Sequence, residues 1–339
     1  VGKKKKLTKG QQRRIQKNQQ KRLEKRLTEP SKEWEEGSLG PIEHGRVVSR
    51  FGQHADVLDE QHHILRCNIR RDIKSLVTGD RVAWRRAAAQ DQGLQGIVEA
   101  VEERETVLCR PDHYDGVKPV AANIDQIFIV SSPKPAFSDQ IIDRYLVACE
   151  ETGITPVIVY NKADLTPEDE KEHIQQRLSV YKKIGYKVYE VSAKTGEGIE
   201  QLRNCFINNV SVLVGQSGVG KSSVIQATLP EVELAIGAIS DNSGLGQHTT
   251  TVARWYPLKD GGALIDSPGI REFGLWHLPE DKIAQGFVDF HPYLGTCKFR
   301  DCKHRDDPGC SLREAVEAGD LDAQRLANFH RIIDSIEQN

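Results

Sequence analysis

The segment Val212-Leu-Val-Gly-Gln-Ser-Gly-Val-Gly-Lys-Ser222 runs a short β-branched strand into a Gly-rich loop and then toward a helix. Few folds accommodate that succession. Gly215 and Gly220 let the backbone of Gln216, Ser217, Gly218 and Val219 curl with its N–H groups inward, a concavity suited to phosphate oxygens. Lys221 supplies a charge for β- and γ-phosphates, Ser222 offers a hydroxyl to Mg²⁺, and Ser223 continues into a helix whose N-terminal dipole favours anions. A nucleotide site on a parallel α/β sheet is the first expectation.

Three further strand ends and a threonine run agree. Asn161-Lys162-Ala-Asp164 follows the apolar run Pro156–Tyr160, and carboxyl ends of strands are where α/β sheets bind ligands. An Asp carboxylate there can accept both the ring N–H and the exocyclic amine of guanine, whereas adenine presents the opposite polarity, so the base expected is guanine. Ser192-Ala193-Lys194 follows Lys187–Val191 and could hold the base from its other side. Asp266-Ser-Pro-Gly269 follows Gly262–Ile265, placing a carboxylate near Mg²⁺ and the Gly269 N–H near the γ-phosphate. Thr249, Thr250 and Thr251 lie between the two phosphate segments, and Thr250 or Thr251 is the expected Mg²⁺ ligand.

The order of these motifs is unusual. GTPases ordinarily run phosphate loop, switch threonine, D-x-x-G, N-K-x-D, S-A-K; here the last two come first. Such a circular permutation is permissible because every motif sits on a loop of one sheet. With the segment Asp241-Asn-Ser-Gly-Leu-Gly-Gln-His-Thr-Thr-Thr251 and a Cys/His cluster near the C-terminus, the chain closely resembles the RsgA (YjeQ) family of bacterial circularly permuted GTPases, which act in late assembly of the small ribosomal subunit. The resemblance extends over nearly the whole chain. It implies an N-terminal OB-fold, a central GTPase domain and a C-terminal zinc-containing helical domain. It also implies a ribosome-stimulated GTP hydrolase that binds the small (30S) subunit and 16S rRNA and is released after hydrolysis.

The organisation along the chain fits. Residues 1–27 carry twelve Lys/Arg against one acidic residue, net +11, which leaves the remainder at net −13. The expected reading of 1–39 is a basic RNA-contacting tail, because such an arm gains affinity by releasing phosphate counterions and can order on contact. From 40 to 111, five short β-rich runs (Gly45–Phe51, Ala55–Leu58, His63–Cys67, Asp80–Trp84 and Gly96–Val101) suit an OB-fold barrel. Arg66, Arg70, Arg71, Lys74 and Arg81 could track a phosphate backbone there, with Phe51 and Trp84 expected in the barrel core ahead of base stacking. Residues 112–277 read as the GTPase domain, with a helical apolar period over Ile141–Glu150, and 278–339 as the zinc-binding helical domain.

In that last segment Cys297-x4-Cys302-x-His304-x5-Cys310 offers three thiols and an imidazole, enough for one structural zinc with no open coordination position. Cys67, Cys109, Cys149 and Cys205 are scattered and expected as buried free thiols. His291 and His330 are expected on surfaces or in loops. Leu326, Phe329, Ile333 and Ile336 form a helical packing stripe. No run reaches the roughly 18 apolar residues a membrane span requires, and no apolar leader is seen, so a cytoplasmic monomer acting without a membrane is expected.

Catalysis is less explicit. Ile270 stands where many GTPases place a water-orienting Gln after D-x-x-G, so intrinsic hydrolysis should be slow. His248, beside the switch threonines, either positions the attacking water or only shapes its loop. The catalytic set expected is therefore His248, Lys221 and Thr250. The competing reading is an RNA-binding GTPase switch acting on a non-ribosomal target.

Overall fold

The computed structural model describes residues 39–91, 94–112, 116–232, 253–266 and 278–337. The basic N-terminal segment, His248, the threonines 249–251, Gly269 and Ile270 lie outside them. The chain divides into two compact units between Arg104 and Glu105.

The first unit is a closed five-stranded barrel of β1 (Leu39–Phe51), β2 (His54–Leu58), β3 (Ile64–Ile69), β4 (Arg81–Asp91) and β5 (Leu94–Val101), in the order β1-β2-β3-β5-β4. β1 is long and pairs with both β2 and β4, which closes the sheet; β3 and β5 run parallel and all other pairs antiparallel. That is the OB-like Greek-key barrel expected from the five runs. Strand alternation turns Val47, Val57, Leu65, Cys67, Val82, Trp84 and Val98 inward. Trp84 is completely buried, whereas Phe51 is 42% exposed with the Arg66 guanidinium 5.3 Å from its ring centre. The expectation that both aromatics fill the core therefore holds for Trp84 alone: Phe51 ends β1, beyond the closed part of the barrel. Arg66 is ion-paired with Asp56 and Arg70 with the buried Glu99, so both are partly neutralised within the barrel, while Lys74 is exposed.

The second unit opens with a hairpin, β6 (Val107–Asp112) and β7 (Gly116–Ala122), and is built on a six-stranded sheet. Its strands are β8 (Gln126–Ser131), β9 (Thr155–Tyr160), β10 (Lys187–Glu190), β11 (Val210–Val214), β12 (Arg254–Pro257) and β13 (Ala263–Asp266). Their spatial order is β10-β9-β8-β11-β13-β12, parallel except for the edge strand β12. β8 and β11 are buried at every residue, as strands covered on both faces must be.

Helices α1 (Asp139–Thr152), α2 (Glu168–Ile184), α3 (Ile199–Asn204) and α4 (Lys221–Thr228) connect these strands. α1 begins at Ser138, whose hydroxyl accepts from the Ile141 N–H, and stops at Gly153 in the left-handed region. Beneath the phosphate loop, Phe128 stacks on Phe206 at 4.4 Å within a cluster that includes Val130, Val159, Val219, Val224 and Leu264.

The C-terminal helices α5 (Glu280–Gln285), α6 (Ser311–Ala318) and α7 (Ala323–Glu337) belong to this same compact unit. Phe287, Phe290 and Phe329 pack together with centroids 4.7 to 5.7 Å apart, and Leu326 and Ile333 join the buried face of α7. α7 meets α1 through a buried ionic network. Arg325, 0% exposed, donates to Asp143 at 2.5 Å and to Asp289 at 2.5 and 3.1 Å. The Asp143 carboxylate also accepts from Asn328 at 2.7 Å and from the Tyr181 hydroxyl at 2.8 Å.

Burial pushes the Asp143 carboxyl above the usual range, against the pull of Arg325, Asn328 and Tyr181. Arg177 of α2 adds a second link, bonding Asp139 at 2.9 Å and Asp322 at 2.9 and 3.0 Å.

Cys67 and Cys149 are buried free thiols as expected; Cys109 and Cys205 are only half-buried, and the Cys205 thiol lies 3.0 Å from the Tyr189 hydroxyl. His330 departs from the expected loop or surface position. It sits half-buried on α7, with Nε2 2.9 Å from the His304 carbonyl. His291 is exposed, as expected.

Candidate functional site

The phosphate loop leaves β11 at Gly215 and enters α4 at Lys221. Gly215, Gly218 and Gly220 all have positive φ (139°, 83° and 93°), which L side chains rarely adopt. A Cβ on Gly215 would lie 2.2 Å from the Val130 carbonyl oxygen, and one on Gly220 2.5 Å from Asn161 Nδ2. Space as well as torsion demands glycine at both. The Lys221 ammonium donates to the Gly215 and Gln216 carbonyls at 2.8 and 2.7 Å, which holds its charge over the loop. Gln216, Ser217, Gly218, Ser222 and Ser223 are exposed, whereas Val219 is buried beneath them. The resulting cleft, about 530 Å³, is lined by these loop residues together with Lys162 and Tyr145.

Asn161 plays a part the sequence did not disclose. Its side chain is 1% exposed; Nδ2 donates to the Val219 carbonyl at 3.0 Å, and Oδ1 accepts from the Ala193 N–H at 3.2 Å. One buried amide thus fastens the phosphate loop to the Ser192–Lys194 loop. Lys162, at φ 59°, completes the brace, its ammonium donating to the Lys134 carbonyl at 2.7 Å and the Gly218 carbonyl at 2.6 Å.

Asp164 follows in a single 3₁₀ turn, Ala163–Leu165, and is exposed. Ser192 is fully buried and its hydroxyl accepts from the Thr195 N–H at 3.1 Å, closing the turn that leaves Ala193 half-buried and Lys194 exposed at the rim. Asp266 is the last residue of β13, next to β11 in the sheet. The sheet therefore brings the phosphate loop, Asn161–Asp164, Ser192–Lys194 and Asp266 to its carboxyl-end edge. Tyr145 was missed by sequence reasoning; it lies on a helix that carries none of the five motifs.

The Cys/His cluster is the second site. The ligand atoms of Cys297, Cys302, His304 and Cys310 all lie within 4.8 Å of one another. His304 Nδ1 is 3.5, 3.5 and 3.4 Å from the three sulfurs. Tetrahedral zinc with Zn–S near 2.3 Å and Zn–N near 2.0–2.1 Å requires S···N edges of about 3.6 Å. The three edges to His304 thus match a tetrahedral site, and the four residues could hold the ion. His304 reaches this position with φ 59°, and the His330 contact to its carbonyl supports the backbone there.

A parallel sheet whose phosphate-loop strand follows, rather than precedes, the strands bearing N-K-x-D and S-A-K defines a circularly permuted GTPase. The model of the RsgA GTPase family matches residues 101–276, and the chain belongs to that family. Over its whole length it is 56% identical to the small ribosomal subunit biogenesis GTPase RsgA 1 of Vibrio parahaemolyticus, covering 96% of that protein. A Shewanella oneidensis protein named small ribosomal subunit biogenesis GTPase RsgA is 55% identical, again with 96% covered. Among solved structures, YjeQ from Thermotoga maritima superposes with a TM-score of 0.72 at 30% identity, covering 88% of this chain and 99% of that one. YloQ, described as a circularly permuted GTPase, superposes at 0.68 with 27% identity, covering 90% and 98%.

Proposed function

We propose that the chain is a GTP hydrolase of small-subunit biogenesis: it engages the small (30S) ribosomal subunit and its 16S rRNA at a late assembly step, and GTP hydrolysis times its release. The observation that carries the enzymatic half is the sheet edge itself, where the glycine loop and Lys221 at the end of β11 stand on the same edge as Asn161–Asp164 at the end of β9, with Asn161 fastened to the loop. The ribosomal half is supported by relatives at 55–56% identity that bear that name.

In this reading the loop N–H groups and Lys221 take the β- and γ-phosphates, Asp164 reads the guanine edge, and Ala193 and Lys194 flank the base. Ser222, Asp266 and one of Thr250 or Thr251 would hold Mg²⁺, which supplies charge neutralisation at the phosphates. His248 positions the attacking water where Ile270 cannot. Cys297, Cys302, His304 and Cys310 hold one structural zinc, which cross-links the segment between α5 and α6. The protein works in the cytoplasm as a monomer, and among the described residues no helix is long and apolar enough to cross a membrane.

The test is GTP turnover by the protein alone, with isolated small subunits, and with large subunits. Stimulation by small subunits only is expected, and His248→Ala should remove it while sparing GTP binding. Equal turnover in all three mixtures would overturn the ribosomal assignment and favour a non-ribosomal RNA target.

A further inference from the structure

The loop between β8 and α1, Ser132-Pro-Lys-Pro-Ala-Phe-Ser138, carries none of the five nucleotide motifs, yet it lies against two of them. β8 and β9 pair up to Ser131 and Tyr160, and the Asn161 N–H extends that pairing by donating to the Ser131 carbonyl at 2.8 Å. Ser132 and Lys162 therefore continue from neighbouring strand ends. Pro135 faces the phosphate loop, where a Cβ added to Gly218 would lie 3.6 Å from its ring.

Both strand-end loops converge on one atom. The Lys134 carbonyl accepts from the Lys162 ammonium at 2.7 Å and from the hydroxyl of the buried Ser132 at 2.8 Å. The same ammonium donates to the Gly218 carbonyl at 2.6 Å, so it bridges the β8–α1 loop and the phosphate loop. The Lys162 stem runs past Gly220, where an added Cβ would lie 3.5 Å from Lys162 Cε, and it forms part of the cleft wall. At φ 59° Lys162 occupies the left-handed region, a state that a lysine keeps only where its surroundings fix it. The two carbonyls at its tip do so, and Ser132 sets the direction of one of them.

We propose that Ser132 is a positioning residue for nucleotide binding: its hydroxyl aims the Lys134 carbonyl at the Lys162 ammonium, so that Lys162 stands braced against the phosphate loop before the nucleotide arrives. A cleft wall formed in advance lowers the ordering cost of binding. The role concerns how tightly the nucleotide is held, in the ground state and the transition state alike, and leaves the chemical step untouched. It rests on the guanine-nucleotide reading of the cleft and is independent of the ribosomal assignment.

The test is Ser132→Ala on the full chain, with intrinsic GTP turnover and the dissociation rate of fluorescent GDP measured in that variant, in Lys162→Met and in the double variant. GDP binding by the parent reports on the nucleotide reading itself; the ratio of variant to parent reports on Ser132. Loss of one hydrogen bond should raise the GDP dissociation rate and the KM for GTP about three- to tenfold and leave kcat within about twofold, as when binding is lost equally from substrate and transition state. Lys162→Met keeps an apolar stem and removes the ammonium, so adding Ser132→Ala to it should change the dissociation rate little further. Unchanged GDP dissociation and KM in Ser132→Ala, or a fall in kcat at unchanged KM, would overturn the positioning role. The full effect of Ser132→Ala persisting on the Lys162→Met background would mean that Ser132 serves its own loop alone, and would overturn its action through Lys162.

Discussion

The nucleotide cleft and the C-terminal helical segment belong to one compact unit but are held in opposite ways. In the cleft the shape is backbone shape: three glycines at positive φ, with one buried amide and two lysines tying loop carbonyls and N–H groups together. In the C-terminal segment the shape depends on side-chain contacts, with the buried Arg325 over the Phe287 ring at 4.4 Å and an irregular stretch that gathers three cysteines and a histidine able to hold a metal ion. The first kind of construction leaves the cleft's polar edge free for a ligand. The second spends its polar groups internally, and so fails more severely when one partner is lost.

That contrast orders the expected effects. Structural zinc contributes on the order of 10 kcal/mol to small metal-dependent folds, so Cys302→Ser should show the greatest loss: metal content near zero after dialysis and a collapse of α6 and α7 seen in amide exchange, with β8 and β11 still protected. If α6 and α7 kept their protection without metal, the cluster would not be what holds the segment.

Arg325→Ala comes next, because it leaves Asp143 buried without its counter-charge. A loss of about 3–5 kcal/mol in denaturant unfolding is expected, and Arg325→Met with Asp143→Leu should recover most of it. No recovery would mean that the network is needed for more than charge balance.

Gly215→Ala should cost about 3 kcal/mol, or roughly a hundredfold in nucleotide affinity, through strain and the clash with Val130. Its effect on α7 should be small, so a global loss of stability would blur the contrast between backbone-built and side-chain-built regions. Asn161→Ala removes one buried amide with two partners, and about 1–3 kcal/mol of stability should go with it. Because that amide spans the phosphate and Ser192–Lys194 loops, both loops should lose amide-exchange protection together.

The phosphate loop, Asn161–Asp164, Ser192–Lys194 and Asp266 were readable because each is contiguous and sits at a strand end; the barrel was readable from five alternating runs. What it hid were pairings across long chain separations. Asp143 and Arg325 are 182 positions apart, and on α1 an Asp among apolar residues is indistinguishable from an ordinary polar face. Tyr145 escaped for the same reason: its place at the cleft is plain only once α1 is packed on β8 and β9. Phe51 and Trp84 both follow strand alternation, and only the closure of the barrel separates the buried ring from the exposed one. Asn161 was legible as a site residue, but its work as a brace depends on two loops meeting around it.

The central claim is that the cleft is built for a guanine base, with Asp164 reading it. Binding of guanosine and xanthosine diphosphates to the parent and to Asp164→Asn tests this most directly. A switch of preference from guanosine to xanthosine, with unchanged fold, is the predicted result; retention of the guanosine preference, or tight adenine nucleotide binding by the parent, would contradict it.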